Sequence, residues 1–359
     1  MHMADALLSP AVGGAMWAAS AGTIAYCAKK VRSELDDRKV PLMGVLGAFL
    51  FSAQMINFTI PATGSSGHLG GGLLLTILLG PYAAFLTIAS VLVVQALFFA
   101  DGGILALGCN IFNLGVFPAF IAYPFIYKKI AGDQSNQSRI TIGAIVAAIV
   151  GLQLGAFGVV LETVFSGISS LPFSTFVVLM QPIHLGIGIV EGLVTAAVVS
   201  FVYKARPEIL RGALEAKPIG NYPVRNVILA FLAAAIVTGG VVSWYASENP
   251  DGLEWSIAKV TGKEEVEAAK DGMYGALASL QEKTAFLPDY TFKKPAEAKK
   301  EDAQAAGEVK KEGAKPEGEP KAEEGSKIGT SVSGIVGAVM TLALAFLAGF
   351  ILKKRNQPA

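Results

Sequence analysis

Long apolar runs separated by short polar loops divide most of this chain, and each run is judged against the roughly 20 residues that cross the hydrocarbon of a bilayer. Nine runs stand out, at about 8–28, 41–57, 69–80, 81–99, 105–127, 140–165, 177–203, 226–246 and 330–352. The third is too short to span alone. Gly80-Pro81 breaks it from the fourth, so it is expected as a short or tilted helix. The pattern predicts an all-α integral membrane protein. Between the last two runs lies a polar stretch, 247–329, which divides in two. Residues 247–295 carry Trp255, the segment Pro250-Asp251-Gly252-Leu253-Glu254 and Leu287-Pro288-Asp289-Tyr290, a mixture expected to fold as a small domain or to pack on neighbouring loops. Residues 296–327 are almost entirely Ala, Glu, Lys, Gly and Pro, the composition of a flexible tether.

Basic residues assign the sides. The loop after the first run holds Lys29, Lys30, Arg32, Arg38 and Lys39. The loop after the fifth holds Lys128, Lys129 and Arg139, and the one after the seventh Lys204, Arg206, Arg211, Lys217 and Arg225. Lys353, Lys354 and Arg355 follow the last run, whereas loops 58–68, 100–104 and 166–176 contain no Lys or Arg. By the positive-inside rule this alternation puts the C-terminus in the cytoplasm and Met1, the His68 loop and residues 247–329 outside, provided that 69–80 counts as a crossing.

Composition agrees: 53% of residues are hydrophobic and 16% charged, with a mean hydropathy of +0.53. A net charge of +1 implies no large basic surface for nucleic acid. Cys27 and Cys109 fall at opposite faces of the expected bundle, and no CxxC motif exists, so neither a disulfide framework nor a thiolate metal site is expected. The N-terminus has no basic segment before its first apolar run and does not read as a cleavable leader. HExxH, GxSxG and Walker sequences are missing, which disfavours an intramembrane enzyme and leaves the chain without an ATP site of its own. Small residues line the first run (Gly13, Gly14, Ala15, Ala18, Ala19, Gly22) and the sixth (Gly143, Ala147, Gly151, Gly155, Ala156). They fit internal packing or a docking face for another membrane subunit.

The candidate chemistry is metal capture. The chain holds three histidines, His2, His68 and His184, and all three map to the outer face. A bulky residue at position 2 is expected to leave Met1 in place. The Met1 amine, the His2 amide nitrogen and the His2 ring then close adjacent chelate rings around one ion, with His68 as a fourth nitrogen. Such a tetragonal all-nitrogen set suits Ni(II) or Cu(II). Taken alone, His2 also fits a disordered terminal residue. His184 shares a helix face with Glu191, about two turns away, and three roles stay open for it: a ligand, a group orienting His68, or packing. For Glu191 a structural hydrogen bond to a neighbouring helix is expected. Asp5, Asn57 and Ser66 are candidates to support the ligands from behind, and Asp101, Asn110 and Asn113 either hydrogen-bond ligand imidazoles or cap helices.

The first two hundred residues resemble the cobalt/nickel substrate-capture component of energy-coupling-factor (ECF) transporters, the CbiM/NikM type. The matching stretches are Met1–Pro10, Asn57–Gly72, Leu79-Gly80-Pro81, Val94–Gly103, Gly108–Gly115, and His184–Gly188 with Glu191-Gly192. The family's terminal motif commonly reads Met-His-Ile-Pro-Asp-Gly; Met3, Ala4 and Ala6 depart from it, while His2 and Asp5 remain. Residues from about 226 onward resemble the small accessory component of the same systems, the CbiN/NikN type, through Pro250–Glu254. The resemblance implies a fusion. Residues 1–210 are a seven-helix metal-capture core. Residues 226–359 are an accessory region, with membrane helices 226–246 and 330–352 flanking the outer segment. It implies Met1 and His2 inserted toward His68, no resident cofactor, and Ni(II) or Co(II) as transported substrate. The implied partners are a transmembrane coupling subunit and cytoplasmic ATPases, in a prokaryotic cell membrane. The rival expectations are a self-sufficient secondary transporter or channel, and a sensory or structural membrane protein that transports nothing.

Overall fold

The computed structural model describes residues 2–134, 136–264, 266, 268, 269, 271–293 and 320–353, with side chains of the last helix from residue 327 onward. The expected ligand Met1, most of the expected tether, and Lys354 and Arg355 lie outside the described residues. What is described of 320–327 is helix rather than tether.

The nine apolar runs are all helical. In chain order the helices are α1 Pro10–Lys30, α2 Lys39–Gln54, α3 Gly72–Leu79, α4 Pro81–Phe98, α5 Leu107–Ala131, α6 Gln137–Ser166, α7 Phe173–Ala205, α8 Pro207–Leu214, α9 Arg225–Gly240, α10 Gly252–Thr261, α11 Gly272–Thr284 and α12 Pro320–Leu352. One two-stranded antiparallel sheet joins α2 to α3: β1 Phe58–Ile60 against β2 Ser65–Gly67, with Thr59 opposite Ser66. Among the described residues five helices are long and apolar enough to cross a bilayer: α4, α5, α6, α7 and the part of α12 from Lys327. Apolar α2 and α9 are shorter, and α3 has only eight residues. The chain is a helical, multi-pass membrane protein.

Local chemistry explains the breaks. Ser9 accepts from Val12 N and Pro10 opens α1, a standard start. Gly80, at φ 81°, separates α3 from α4, which begins at Pro81. Along α5, Phe112–Tyr127 is wound as a π-helix carrying Pro118 and Pro124, each lacking an amide hydrogen.

Glycines set the helix contacts. A Cβ on Gly108 of α5 would lie 2.6 Å from the backbone nitrogen of Trp17 on α1. On Gly334 of α12 it would lie 2.2 Å from the Gly239 carbonyl of α9, and on Gly44 of α2 it would lie 3.0 Å from the Leu342 carbonyl of α12. The two C-terminal helices therefore pack directly on the core through small residues. The α6 stripe is internal: Gly151 faces Ala122 and Pro118, and Gly143 faces Tyr127. The α1 stripe splits. Gly13 packs on Leu105, whereas Gly14, Ala15, Ala18, Ala19 and Gly22 are exposed.

The basic loops gather at one end. Gly220 N donates to Asp36 at 2.8 Å, Arg38 donates to the Gly220 carbonyl, and Lys353 pairs with Asp37. Both cysteines are buried free thiols.

Candidate metal site at the far end of the bundle

At the end opposite the basic loops, three segments converge: residues 2–9, the 60s loop, and the turn 99–106 between α4 and α5. The N-terminal segment, which includes a 3-10 turn at Asp5–Leu7, is pinned to the turn after α4 and to α5. Met3 N donates to Asn110 Oδ1 at 2.8 Å, and the Met3 carbonyl accepts from Gly103 N at 2.9 Å. Asp5 Oδ1 accepts from Ala106 N at 2.9 Å. Gly102 and Gly103 make this approach possible: a Cβ at 103 would sit 1.8 Å from Asp5 Oδ1, and Gly102 has φ 82° beside His2. Met3, one of the departures from the family motif, is wholly buried here.

Residues 68–71, between β2 and α3, are buried backbone without helix or sheet. Such a segment is tolerated only where its amides find partners inside the protein. Glu191, on α7, receives Gly70 N at 2.8 Å on one oxygen and Gly71 N at 3.0 Å on the other. Gln54 Nε2 donates to the Gly70 carbonyl at 3.0 Å, and Gln95 donates to Gln54. Glu191 thus holds the loop backbone rather than a neighbouring helix.

His2 and His68 meet, with ring centroids 4.8 Å apart at an interplanar angle of 34°. His2 Nδ1 stands 2.7 Å from Asp101 Oδ1, and its buried Nε2 has no hydrogen-bond partner among the described residues. His68 Nδ1 donates to the Leu69 carbonyl at 3.1 Å, and its Nε2 lies 3.9 Å from Asp251 Oδ2. Burial first, then the electrostatics of its neighbours, His2 among them, push the His68 pKa down to about 3, so the ring is neutral and a competent ligand. For Asp101 burial works upward, but the His2 ring and the Tyr290 hydroxyl outweigh it and hold the carboxyl well below its ordinary range.

The segment after α9 covers this end of the bundle instead of forming a domain of its own. Ser66 N donates to the Pro250 carbonyl at 2.8 Å, Ser66 Oγ donates to Asn249 O at 2.8 Å, and Trp255 Nε1 donates to Thr63 O at 3.0 Å. Asp251 and Glu254 form a reciprocal capping box at the start of α10. Beneath it, a Cβ on Gly252 would fall 3.1 Å from His184 Cε1. Further on, Gln281 donates to Ala96 O and Gly102 O, Asp289 N donates to Phe99 O at 2.9 Å, and Tyr290 OH donates to Asp101 Oδ2. The end carbonyls of α4, which a helix leaves without partners, are satisfied from this segment.

Core and cover line an open cavity of about 510 Å³. His2 and His68 line it with Asp5, Asn57, Asp101, Asp251 and Tyr290, and among the described residues the lining includes six carboxylates and no Lys or Arg. Of the supporting residues expected from sequence, Asp5 and Asn57 reach the cavity, Asp5 through a carboxylate that also caps Ala106 N. Ser66 is committed to Asn249 and Pro250. His184 donates to its own helix at Met180 O, 2.8 Å, and its buried Nε2 has no hydrogen-bond partner among the described residues. Asn110 holds the Met3 backbone, and Asn113 holds Glu162 at 2.7 Å. Asp251 and Tyr290 were not singled out from sequence. The DGLE capping-box spacing marked Asp251, while nothing local marked Tyr290. Among the described residues no three His, Cys, Asp or Glu side chains form a metal set by themselves.

Fold and site define a class: a multi-pass helical membrane protein that brings two imidazoles into an acidic cavity at one end. Residues 2–209 match the family described as the cobalt uptake substrate-specific transmembrane region, CbiM, and residues 225–354 match the PDGLE domain. The chain belongs to the CbiM family, with a PDGLE domain fused behind it. It is 32% identical over 349 residues to a putative fused nickel transport protein NikMN of Archaeoglobus fulgidus, covering 96% of this chain and 97% of that one. It is 38% identical over 210 residues to a putative metal transport protein of Haloquadratum walsbyi, covering 58% of this chain and 93% of that one. A solved structure described as a truncated transition metal transporter aligns at a TM-score of 0.51 and 32% identity, over 57% of this chain and 99% of that chain.

Proposed function

We propose that this chain is the substrate-specific membrane subunit of an ATP-driven, ECF-type importer of Ni(II), with Co(II) as the alternative cargo. In this reading residues 1–210 are a seven-helix capture core, and 226–359 are the accessory region with two further membrane helices. The N-terminus faces out and the C-terminus faces the cytoplasm. The ion is taken by the Met1 amine, the His2 amide and ring, and the His68 ring. The observation that carries this is the meeting of His2 and His68, 4.8 Å between ring centroids, in a cavity whose described lining includes six carboxylates and neither Lys nor Arg. Four nitrogens in a plane favour nickel over zinc. Nickel is also the metal of the putative fused nickel transport protein NikMN of Archaeoglobus fulgidus and the fused nickel transport protein NikMN of Rhodobacter capsulatus, which this chain resembles. A cobalt transport protein of Geobacter sulfurreducens, 27% identical over 289 residues, keeps cobalt as the second reading. The exposed small-residue stripe of α1 fits the close approach of a transmembrane coupling subunit, and ATPase subunits on the basic side supply the energy.

The test is metal analysis of the full chain with a native terminus beside a version extended by a few residues and beside His2→Ala and His68→Ala. The native chain retains stoichiometric nickel and the other three lose it. Equal nickel in the native and extended forms refutes the terminal chelate. Uptake by vesicles containing this chain alone, at the rate seen with its ATPase partners, refutes the ECF mechanism.

A further inference from the structure

A second, smaller cavity lies behind the His68 loop. It shares no lining residue with the open cavity that His2 and His68 face. Its volume is about 10 Å³, close to the least that holds one water. Gly70, Gly72, Asn113, Gly151, Leu152 and Glu191 are among the residues around it, and every residue of its lining is buried. The loop, α3, α5, α6 and α7 all meet there.

The polar groups left over around this space are acceptors. Gly70 N and Gly71 N are already spent on Glu191, at 2.8 and 3.0 Å. Asn113 spends its Nδ2 on Glu162 Oε2 at 2.7 Å, and its buried Oδ1 has no hydrogen-bond partner among the described residues. Turning the amide over would set its oxygen against the Glu162 carboxylate, so the donor belongs on Glu162 and the acceptor is the atom left over. Leu114 adds a carbonyl. Its oxygen would lie 2.1 Å from a Cβ on Gly72, and Pro118, four residues on, has no N–H to give it. A buried acceptor without a donor is costly, and ordered water is the usual remedy where there is room. Water has two hydrogens to give, and the Glu191 carboxylate keeps lone pairs beyond the two that the loop amides use. We propose that this cavity binds one water molecule, which donates to Asn113 Oδ1 and to Glu191 and so ties α5 to the carboxylate that holds the His68 loop. A polar line then runs from Glu162 on α6 through Asn113 on α5 and the water to Glu191 on α7, and on to Gly70 and Gly71. Three membrane helices back the loop together. The water site is complete without His2, His68 or a metal ion, so it stands whether or not the chain captures nickel.

The test is an experimental structure of the full chain, at a resolution that shows ordered water, for wild type and for Asn113→Leu. Wild type shows one peak about 2.6–3.2 Å from both Asn113 Oδ1 and a Glu191 oxygen. Asn113→Leu, similar in size but without the acceptor, shows no peak there. An empty cavity in wild type overturns the proposal. So does a peak with several oxygens at about 2.0–2.6 Å, which marks a bound cation instead of water. A peak that survives in Asn113→Leu also overturns it, because Asn113 is then no partner of the water. The wild-type map decides the matter even where the variant does not fold. Hydrogen exchange reads the link to the loop. The Gly70 and Gly71 amides exchange about 2- to 10-fold faster in Asn113→Leu, the change expected for the net contribution of one hydrogen bond to holding Glu191 in place. Exchange equal to wild type at both amides refutes the link between α5 and the loop.

Discussion

Glu191 couples the membrane interior to the His68 loop, and removing it tests whether that loop is held or merely nearby. The carboxylate is 3% exposed and accepts Gly70 N at 2.8 Å and Gly71 N at 3.0 Å, one on each oxygen. Glu191→Ala leaves two buried amide donors without partners. An unsatisfied buried donor costs about 1–3 kcal/mol, so the pair costs about 2–6 kcal/mol. The Gln54 bond to the Gly70 carbonyl survives, which favours the lower end of that range. About 2 kcal/mol is a factor of ~30 in the population of the ordered loop, and apparent affinity falls in proportion to the population competent to bind. The expected result for Glu191→Ala is nickel binding weakened ~30-fold, together with a lower unfolding midpoint in the metal-free protein. Glu191→Gln keeps the volume and one acceptor but turns an amide NH2 toward the other N–H, so it falls between. Wild-type affinity and stability in Glu191→Ala would falsify the argument. A lower midpoint with intact affinity would also defeat it, because Glu191 would then support the fold without presenting His68.

Two further outcomes follow from the same geometry. Gly252→Ala places a methyl 2.7 Å from Ile183 Cγ2 and 3.1 Å from His184 Cε1, an overpacking that costs about 1–3 kcal/mol; limited proteolysis detects it as faster cutting within residues 247–291, while Gly240→Ala, with nothing within 4 Å, serves as the silent control. His68, held near 3 against an ordinary 6.5, binds fewer protons folded than unfolded between those values, so stability is complete above the ordinary pKa and declines as pH falls toward the folded one. Unfolding midpoints measured from about pH 4 to 7 therefore fall on acidification, and His68→Gln flattens that dependence; an identical slope in the variant refutes the assignment.

The helical runs were legible because lipid imposes a single demand, continuous apolar length with internally satisfied backbone, and sequence displays length and apolarity directly. Gly80-Pro81 was legible for a similar reason, since both residues act locally, and the structure breaks α3 from α4 there. Crossing numbers were not legible. Eight-residue α3 is completed by loop backbone tied to Glu191 and Gln54, and those ties join residues 121 and 16 positions apart. Nor did the polar stretch after α9 reveal whether it folds alone. Its apolar anchors are spread thinly along the segment, and their partners are loops of the core.

The same distinction governs the site. His2 and His68 could be paired in advance because charge alternation puts both on the same expected side and the family resemblance implies Met1 and His2 inserted toward His68. Asp101 carried two local meanings, cap or imidazole partner, and the fold selects the second through a contact 99 positions away. Tyr290 carried none, because its role exists only where α4 ends and the accessory turn begins. The site is therefore composite. The core supplies the imidazoles and Asp101, while the accessory region supplies Asp251 3.9 Å from His68 and the Tyr290 hydroxyl that donates to Asp101. A core expressed without residues 226–359 retains both rings but loses those two groups and the partners of the α4 end carbonyls. Fusing the two parts keeps the covering segment at high effective concentration over the cavity, so the cavity stays lined by both parts.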